Sequence, residues 1–311
     1  MTYSKNHPLI SIITPTYNMG QFLDGCIQSV LHQDYPYVEH IIHDGKSTDN
    51  TQAILKKYRK QKYINRIKIS SQKDIGQSDG LNKAIQQAKG DYLLILNADD
   101  ELLPYACAWA ITNFSLFPDY AVIYGDVYLI DKNGKLIKIA TSDQYDLKKL
   151  FCVELVPPAQ AAFIQTKYFK KVGFYADKNL DTCPDFEMWI RIASKFSMKH
   201  IPGVISKYRA YSHNDSHAQR YAMRFYKAKK IVIDKALNRY TKYKMIPFLK
   251  YKAYSGLSFW TAQQAINEKN LLALKMLIQS VLHYPSLVNI KRVINIFMDS
   301  PLLTLKLLFN K

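Results

Sequence analysis

The first hundred residues of this 311-residue chain repeat one pattern of apolar and polar positions. Four short strand-like segments lie at residues 9–14, 38–43, 67–70 and 91–96. The first and the fourth are mostly apolar and have no helical stripe, and runs of this kind predict strands that are buried on both faces. A polar loop follows each segment, and a stretch with helical spacing of apolar residues follows each loop. The alternation predicts an α/β fold with a mostly parallel central sheet flanked by helices.

The fourth run leads directly into two adjacent carboxylates, Asp99 and Asp100. In an open α/β sheet, ligands bind beyond the carboxyl ends of the strands. Two carboxylates there can hold a hard divalent cation, which neutralises a diphosphate. The alternative is that one of them caps the next helix, predicted from Tyr105 to Phe114. Taken alone, Asp99 and Asp100 are better explained as a helix cap. The other motifs of the sequence make the cation site the better explanation.

After Pro118 the pattern changes to shorter strands and longer loops. A hairpin is predicted around Lys132-Asn133-Gly134-Lys135, between strands at residues 127–131 and 136–139. Further strands are predicted at residues 121–125, 161–164 and 204–208, with helices at residues 147–151 and from Asp185 onward. Beyond Ala218 the apolar spacing is helical throughout. We therefore predict an α/β domain over residues 1–217 and an all-helical appendage over residues 218–311.

The helical region carries most of the net charge of +18. Residues 218–311 contain 17 lysines and arginines against three acids, which gives them a net charge of +14. Such a surface favours anionic partners or is simply solvated. Nucleic acid is not expected, because tyrosines and lysines interleaved on helices are equally typical of packing. Two hypotheses remain open: the helices contact the cytoplasmic face of a membrane, or they pack on the catalytic domain or a second subunit.

Other features of the sequence narrow the class of protein. No apolar run approaches the length of about 20 residues that spans a bilayer, and the N-terminus has no apolar signal core, so we expect a cytoplasmic protein. The four cysteines show no CxxC spacing and are expected to be reduced core residues. No GxGxxG or GxxxxGK[ST] motif is present, which argues against dinucleotide-binding and P-loop domains.

Five segments together resemble the inverting family-2 glycosyltransferases of GT-A fold. In order, they are SIITPTYN at 11–18, IHDGKSTDNT at 42–51, DIGQSDGLNKA at 74–84, NADD at 97–100 and DFEMWIR at 185–191. The similarity covers roughly residues 8–213. The resemblance implies transfer of a sugar from a nucleoside-diphosphate sugar, with a UDP-sugar expected first, to a hydroxyl of a glycan or lipid-linked acceptor. It also implies a role in the synthesis of cell-surface polysaccharide.

The resemblance also assigns residues to the donor and to a divalent cation. The nucleotide sugar is expected to contact Pro15, Thr16, Tyr17, Asp44, Asp74, Asn82 and Asp99. Of these, Asp44 would accept a hydrogen bond from the base edge. Asp100, with Asp99, would ligate Mn²⁺ or Mg²⁺. Asn97 stands where the family more often has Asp. This change is tolerated if Asp99 and Asp100 are the two residues that bind the cation.

Inversion at the anomeric carbon requires a carboxylate that deprotonates the acceptor hydroxyl. By its position in the motif, Asp185 is the expected base, and Glu187 is the alternative. Either acid also suits the first turn of a helix, where it complements the helix dipole. Trp189 shapes the acceptor pocket or belongs to the core.

The sequence departs from the family at a third metal ligand. Tyr211 stands where the family often has His, so His213 and His217 are the candidates, against the simpler interpretation of two solvent-exposed histidines. Two other functions were weighed. An inactive transferase-fold adaptor at a membrane is disfavoured by the retained acids. A sugar-phosphate nucleotidyltransferase is disfavoured because a Gly- and Arg-rich phosphate loop is absent after the first strand. The sequence leaves the oligomeric state open.

Overall fold

The computed structural model describes residues 7–60, 65–174, 183–211, 222–240, 243, 246–266 and 270–299. Its strands are β1 Ile10–Thr16, β2 Val38–Asp44, β3 Ile67–Ser71, β4 Tyr92–Ile95, β5 Glu101–Leu102, β6 Val122–Ile130, β7 Leu136–Ala140, β8 Ala162–Gln165 and β9 Met198–Arg209. Its helices are α1 Leu23–Leu31, α2 Thr51–Tyr58, α3 Gln77–Ile85, α4 Ala106–Leu116, α5 Leu147–Phe151, α6 Thr166–Val172, α7 Pro184–Ala193, α8 Ala222–Arg239, α9 Leu249–Ala265, α10 Asn270–His283 and α11 Leu287–Asp299.

The strands form one sheet in the order β3-β2-β1-β4-β8-β6-β9-β5, and β7 pairs with β6. The first four strands are parallel, which confirms the predicted βα repeat. β8 then pairs antiparallel to β4. The carboxyl ends of β1 to β4 therefore lie at the same edge of the sheet as the beginning of β8.

Apolar side chains cover both faces of the parallel strands. On one face, Ile12 and Leu94 join a cluster that includes Phe163 and residues of α4. On the other, Ile42 packs with Leu55 and residues of α1. A strand covered on both sides has no solvent-facing side, which explains the continuous apolar sequence of β4.

The sequence predicted two strands at residues 121–125 and 127–131, and this was wrong. The structure has one strand, β6, whose register against β9 shifts around Asp126. A Cβ on Gly125 would lie 2.7 Å from the carbonyl oxygen of Gly203, so the two backbones approach too closely for a side chain. The polar residue that interrupted the apolar pattern is buried, and Asp126 accepts hydrogen bonds from the N–H groups of Ser142 and Gly203.

The chain divides into two compact units. The α/β unit comprises residues 1–144 and 157–210, and the helical unit comprises residues 145–156 and 211–311. The helical unit thus includes a segment from the middle of the chain, in addition to the C-terminal region that the sequence assigned to it. Within it, α9 packs against α8 and α10. A Cβ on Gly256 of α9 would overlap the carbonyl oxygen of Cys152, which requires glycine there.

Two further expectations concern cysteines and membrane segments. All four cysteines are buried free thiols, as the sequence predicted. Among the helices in the described part of the chain, none has the length and hydropathy needed to cross a bilayer.

Candidate active site

The end of β2 holds the most heavily hydrogen-bonded carboxylate of the sheet edge. Asp44 is fully buried. Its Oδ1 accepts hydrogen bonds from the backbone N–H (3.0 Å) and hydroxyl (2.5 Å) of Ser47. Its Oδ2 accepts from the hydroxyl of Ser71 (2.6 Å) and from the amide of Gln52. Burial raises the pKa of Asp44, but these hydrogen bonds outweigh it and hold the pKa below its ordinary value. Asp44 is therefore a fixed anion.

The loops after β1 and β2 are joined by hydrogen bonds. The N–H of Asn18 donates to Ser47 Oγ (2.9 Å), and Asn18 Oδ1 accepts from the N–H of Thr48 (2.8 Å). The N–H of Gly20 donates to Asp49 Oδ2 (3.0 Å). Asn18 holds a positive φ of 54°. Asparagine adopts this left-handed conformation more readily than most residues, and the hydrogen bonds hold the two loops together.

Three of the residues assigned to the base pocket lie where β1 ends and the first loop begins. Pro15 is half-buried, Thr16 is buried, and Tyr17 is 58% exposed. Thr16 Oγ1 is buried without a hydrogen-bond partner within the described residues. The end of β1 therefore presents an exposed aromatic ring one residue after a buried hydroxyl.

The structure brings Asp74 against the end of β2. Its Oδ2 lies 3.8 Å from His43 Nε2, and a Cβ on Gly45 would lie 2.6 Å from the same oxygen. Gly45 therefore makes room for Asp74 next to Asp44. Asn82, half-buried, lies in α3, the helix that follows this loop. The second and third predicted motifs thus meet at one place.

The two carboxylates after β4 do not cap a helix. α4 begins at Ala106, with Tyr105 as its N-cap, and the short strand β5 lies between. Asp99 is 7% exposed and Asp100 is fully buried. The capping interpretation is therefore wrong, because the chain forms a strand before the helix starts.

Asp100 is held by the end of β9. Its Oδ1 accepts a hydrogen bond from the N–H of Arg209 (2.9 Å), and Arg209 Nε donates to the carbonyl oxygen of Asp99 (2.9 Å). The Arg209 guanidinium also pairs with Glu101 at 2.9 Å. Asp100 Oδ2 is buried and has no hydrogen-bond partner in the part of the chain that the structure describes. One oxygen is thus fixed in place while the other is left without a donor.

The electrostatics of this pair favour a cation. Burial raises the pKa of Asp100 well above its ordinary value, and the neighbouring Asp99 carboxylate raises it further. The hydrogen bond and the charge of Arg209, together with the Asn97 side chain, oppose the rise of the Asp100 pKa without cancelling it. A buried carboxylate with an unpaired oxygen next to a second carboxylate matches the oxygen ligands that Mn²⁺ and Mg²⁺ prefer.

The two candidates for a third metal ligand, His213 and His217, lie outside the described residues. Within the described residues, no group of three or more His, Cys, Asp or Glu side chains could hold a metal ion. The residues present fit a cation held by Asp100 and Asp99 with the rest of its ligands from elsewhere, as Mg²⁺ sites with one or two carboxylates are typically completed by phosphates and water.

Asp185 lies in the first turn of α7, half-buried, and its Oδ1 accepts a hydrogen bond from the N–H of Phe186 (2.8 Å). One turn later, the indole N–H of the buried Trp189 donates to the carbonyl oxygen of Pro157 (3.0 Å). Pro157 lies shortly before β8, whose beginning is at the ligand edge of the sheet. Trp189 therefore ties the N-terminal half of α7 to that edge.

Glu187 is engaged in a different way. Its Oε1 lies 2.6 Å from Arg191 Nε, and the Arg191 side chain is only 10% exposed. Arg191 also donates to the carbonyl oxygens of Val172, Gly173 and Phe174. Glu187 neutralises a guanidinium that binds the end of α6, so the geometry gives it a structural task. Trp189 and Arg191 belong to the interior that supports Asp185.

Arg209 is a site residue that the sequence motifs did not indicate. Its backbone and side chain contact both members of the Asp99–Asp100 pair from a position more than 100 residues away in the chain. The one available signal was its position just after a predicted strand, where polar residues of this fold gather.

Residues 11–193 match the family model described as Glycosyl transferase family 2, which is more than half of the chain. The protein belongs to glycosyl transferase family 2. Its sequence is 29% identical over 217 residues to an uncharacterized glycosyltransferase, MJ1057, of Methanocaldococcus jannaschii, covering 67% of this chain and 73% of that one. It is 27% identical over 199 residues to chondroitin synthase of Escherichia coli, covering 63% of this chain but 28% of the synthase.

Two solved structures support the fold of this family-2 glycosyltransferase. The mannosyltransferase PcManGT from Pyrobaculum calidifontis has a TM-score of 0.62 at 15% identity, covering 96% of this chain and 81% of that chain. Residues 1–349 of S. aureus TarS give a TM-score of 0.58 at 16% identity, covering 89% of both chains. The α/β unit therefore has the GT-A fold that the sequence motifs implied, and the protein is a glycosyltransferase.

Proposed function

We propose that this glycosyltransferase moves a sugar, with inversion and with the help of a divalent cation, from a nucleoside-diphosphate sugar to a hydroxyl of a glycan or lipid-linked acceptor. The observation that carries the proposal is Asp100, buried beside Asp99 with one oxygen fixed by Arg209 and the other unpaired among the described residues. A buried polar atom without a partner is costly, and a bound ion is one of the reasons that such an atom persists at a functional site.

The relatives favour particular substrates. TarS was solved with UDP-GlcNAc and PcManGT with GDP-Man and Mn²⁺. Chondroitin synthase and hyaluronan synthase are also among the relatives of this chain. A UDP-sugar donor, Mn²⁺ or Mg²⁺ as the cation and a role in polysaccharide synthesis follow from these likenesses as proposals. The cytoplasmic face of a membrane is the proposed place of action, because lipid-linked acceptors are found there.

Each described site residue has a proposed part in the reaction. The loops around Asp44 and Asp74 form the base and ribose side. Asp44 is kept anionic, and it would accept a hydrogen bond from the base edge in place of one of its four internal donors, such as the amide of Gln52. Tyr17 offers an exposed ring on which the base stacks. Pro15, Thr16 and Asn82 complete that pocket.

Asp99 and Asp100 are the proposed ligands of the cation, whose charge stabilises the diphosphate that leaves. Arg209 positions Asp100 through its backbone N–H and compensates part of the charge of the two carboxylates. Asp185 accepts the proton of the acceptor hydroxyl as that oxygen attacks the anomeric carbon. His213 stays a candidate for a further metal ligand on the sequence motif alone.

Melting shifts measured with UDP, with and without Mn²⁺, test the proposal on wild type and on Asp100→Asn. Asparagine keeps an oxygen for the N–H of Arg209 and removes one of two adjacent buried charges. The apo variant should therefore melt at or above the wild-type temperature. Wild type should be stabilised by UDP with Mn²⁺ in proportion to affinity, and the variant should lose that cation-dependent shift. Sugar transfer should fall by about 10² or more.

Asp119→Asn, a change of the same chemistry at an exposed turn, is the matched control and should behave as wild type. Full cation-dependent stabilisation and turnover in Asp100→Asn would contradict the metal assignment. Wild-type protein that neither binds nor turns over any nucleotide sugar would contradict the proposed reaction as a whole.

A further inference from the structure

One end of the helical unit exposes large apolar side chains. At the start of α9, Phe248 is 63% exposed and Tyr251 is 55% exposed. Around the turn between α10 and α11, Leu282, Leu287 and Val288 are 73%, 79% and 60% exposed. We call these five residues the apolar tip. Single exposed apolar residues are ordinary, but a group of this size marks an interaction surface.

Contacts within the unit bring the two parts of the tip together. The ring of Phe248 lies 6.3 Å from that of Tyr284, which is in the turn between Leu282 and Leu287. Lys252 Nζ lies 5.2 Å from the centre of the Tyr284 ring. The beginning of α9 and the α10–α11 turn are therefore neighbours, and the exposed side chains form one surface.

The backbone at Phe248 adds a second observation. Its φ is +59° and its ψ is 12°, the left-handed conformation that bulky residues rarely adopt. Burial of the ring does not compensate for this conformation, because the ring is mostly exposed. A rare backbone conformation that presents an aromatic ring to solvent points to a surface shaped for a partner.

The charge around the tip is mostly basic. Residues 246–266 and 270–299 contain five basic residues and one acid, Asp299, and one of the basic residues, Arg292, pairs with Glu154 at 2.7 Å. Lys250 and Lys252 flank Tyr251, and Lys291 follows the exposed Ile290 on α11. Lysine side chains lie along apolar surface with the ammonium group at its border. The tip therefore combines apolar and aromatic side chains with lysines at their edge.

The apolar surface continues from the tip along the outer sides of two helices. On α10, Leu271 and Ile278 are exposed at 79% and 52% and lie on the same helix face as Leu282. On α11, Ile290 and Ile294 are 40% and 51% exposed, one and two turns after Leu287. The opposite faces are packed, for Leu277 and Met276 are buried with Val293 against them. Each helix thus has an inner apolar face that is covered and an outer one that is not.

We propose that the apolar tip inserts into the interfacial region of an anionic membrane, with the neighbouring lysines on its headgroups. Aliphatic and aromatic side chains bordered by lysines are the composition of interfacial membrane contacts, and each basic residue near an anionic surface adds to the attraction. A protein partner would need an acidic rim to match the same lysines. The proposal rests on the proposed function only in supplying a reason for the contact, since a lipid-linked acceptor lies at such a surface.

Vesicle sedimentation of the full-length protein tests this surface. Vesicles of phosphatidylglycerol and phosphatidylcholine are compared with pure phosphatidylcholine, at low and high salt. Wild type should bind the anionic vesicles, and salt should weaken that binding. The double variant Leu287→Ser, Val288→Ser should lower the partition coefficient by about tenfold, because apolar groups drive interfacial insertion.

A matched control comes from the α/β unit. Leu116, at the end of α4, is a single exposed leucine (65%), so Leu116→Ser removes exposed apolar surface away from the tip and should leave vesicle binding unchanged. A third variant, Lys250→Gln, Lys252→Gln, should reduce the preference for anionic over neutral vesicles. Melting shifts with UDP and Mn²⁺ should be the same in wild type and in all three variants, so the membrane result is independent of the donor site.

Three outcomes would overturn the proposal. The first is wild-type protein that stays in the supernatant with anionic vesicles at low salt. The second is a Leu287, Val288 double variant that binds as tightly as wild type, or a Leu116 control that loses binding equally. The third is a dimer, seen by analytical ultracentrifugation, that the tip variant dissociates, which would assign the surface to a second copy of the chain instead.

Discussion

The α/β unit and the helical unit depart from ordinary packing in opposite directions. The α/β unit buries carboxylates, and Asp44 and Asp100 are both inaccessible to solvent. The helical unit exposes leucines, and Leu271 and Leu287 are both 79% accessible. Buried charge and exposed apolar surface each raise the free energy of a folded protein unless something compensates.

The difference between the units lies in where that compensation comes from. Four hydrogen-bond donors satisfy Asp44 within the protein, and its pKa is lowered as a result. Asp100 is satisfied on one oxygen only within the described residues. The exposed leucines of the helical unit are covered by nothing that the structure describes. Functional sites often keep a buried charge or an exposed apolar surface that the protein itself does not offset. Here the buried charge marks a proposed cation site in the α/β unit, and the exposed apolar surface marks a proposed membrane contact in the helical unit.

The largest expected effect tests whether Asp185, and not Glu187, is the general base. Asp185→Asn should lower sugar transfer by a factor of about 10²–10⁴ because it removes the general base. Donor binding should be unchanged, since Asp185 is proposed to act on the acceptor. Single-turnover transfer rates together with UDP-dependent melting shifts measure the two quantities separately.

Glu187→Gln is the matched variant, two residues away on the same helix. It breaks a mostly buried ion pair with Arg191, so we expect a loss of about 1–3 kcal/mol in the free energy of unfolding and a smaller loss of transfer rate. If Glu187→Gln instead abolished transfer in a stably folded protein while Asp185→Asn did not, the two roles would have to be exchanged.

Much of the α/β unit could be predicted because its strands are short and their ends are marked. An apolar run that stops at a polar loop fixes where a parallel strand ends, and with it the edge to which Asp44, Asp74 and Asp100 belong. Arg209 could not be placed in this way. It reaches Asp100 only because β9 pairs with β5, and that pairing joins segments about 100 residues apart.

The helical unit was harder to predict for a different reason. α10 contains leucine, isoleucine or methionine on nearly every side, so the sequence gives no preference between Leu277, which is buried, and Leu282, which is exposed. The choice depends on how α9 and α11 pack against it. The sequence predicted the net charge of the helical unit. It could not predict which of its apolar side chains face solvent.

A smaller effect concerns the pH dependence of stability that the buried His40 of the α/β unit causes. Burial lowers the pKa of His40 to about 3, below the value of about 6.5 expected in an unfolded chain. His40 is therefore neutral in the folded state, and only the unfolded state gains a proton as the pH falls below about 6.5. The free energy of unfolding should decrease by about 2 kcal/mol from this residue between pH 7 and pH 5.

Urea unfolding of wild type and His40→Gln at both pH values measures this contribution. The variant should lose less stability than wild type over the interval. His32→Gln, which removes an exposed imidazole, is the control and should keep the wild-type difference. An equal loss in wild type and His40→Gln would show that His40 is not held neutral by burial.

The smallest expected effect lies in the helical unit. Leu287→Ser should change the free energy of unfolding by no more than about 0.5 kcal/mol, because its side chain is already in water. Leu277→Ala, on the covered face of α10, should cost about 2–5 kcal/mol through lost burial and the cavity that remains. Urea unfolding followed by circular dichroism compares the two without membranes present. A large loss on Leu287→Ser would mean that this residue stabilises the fold, and the apolar tip could then not be a surface kept free for a membrane.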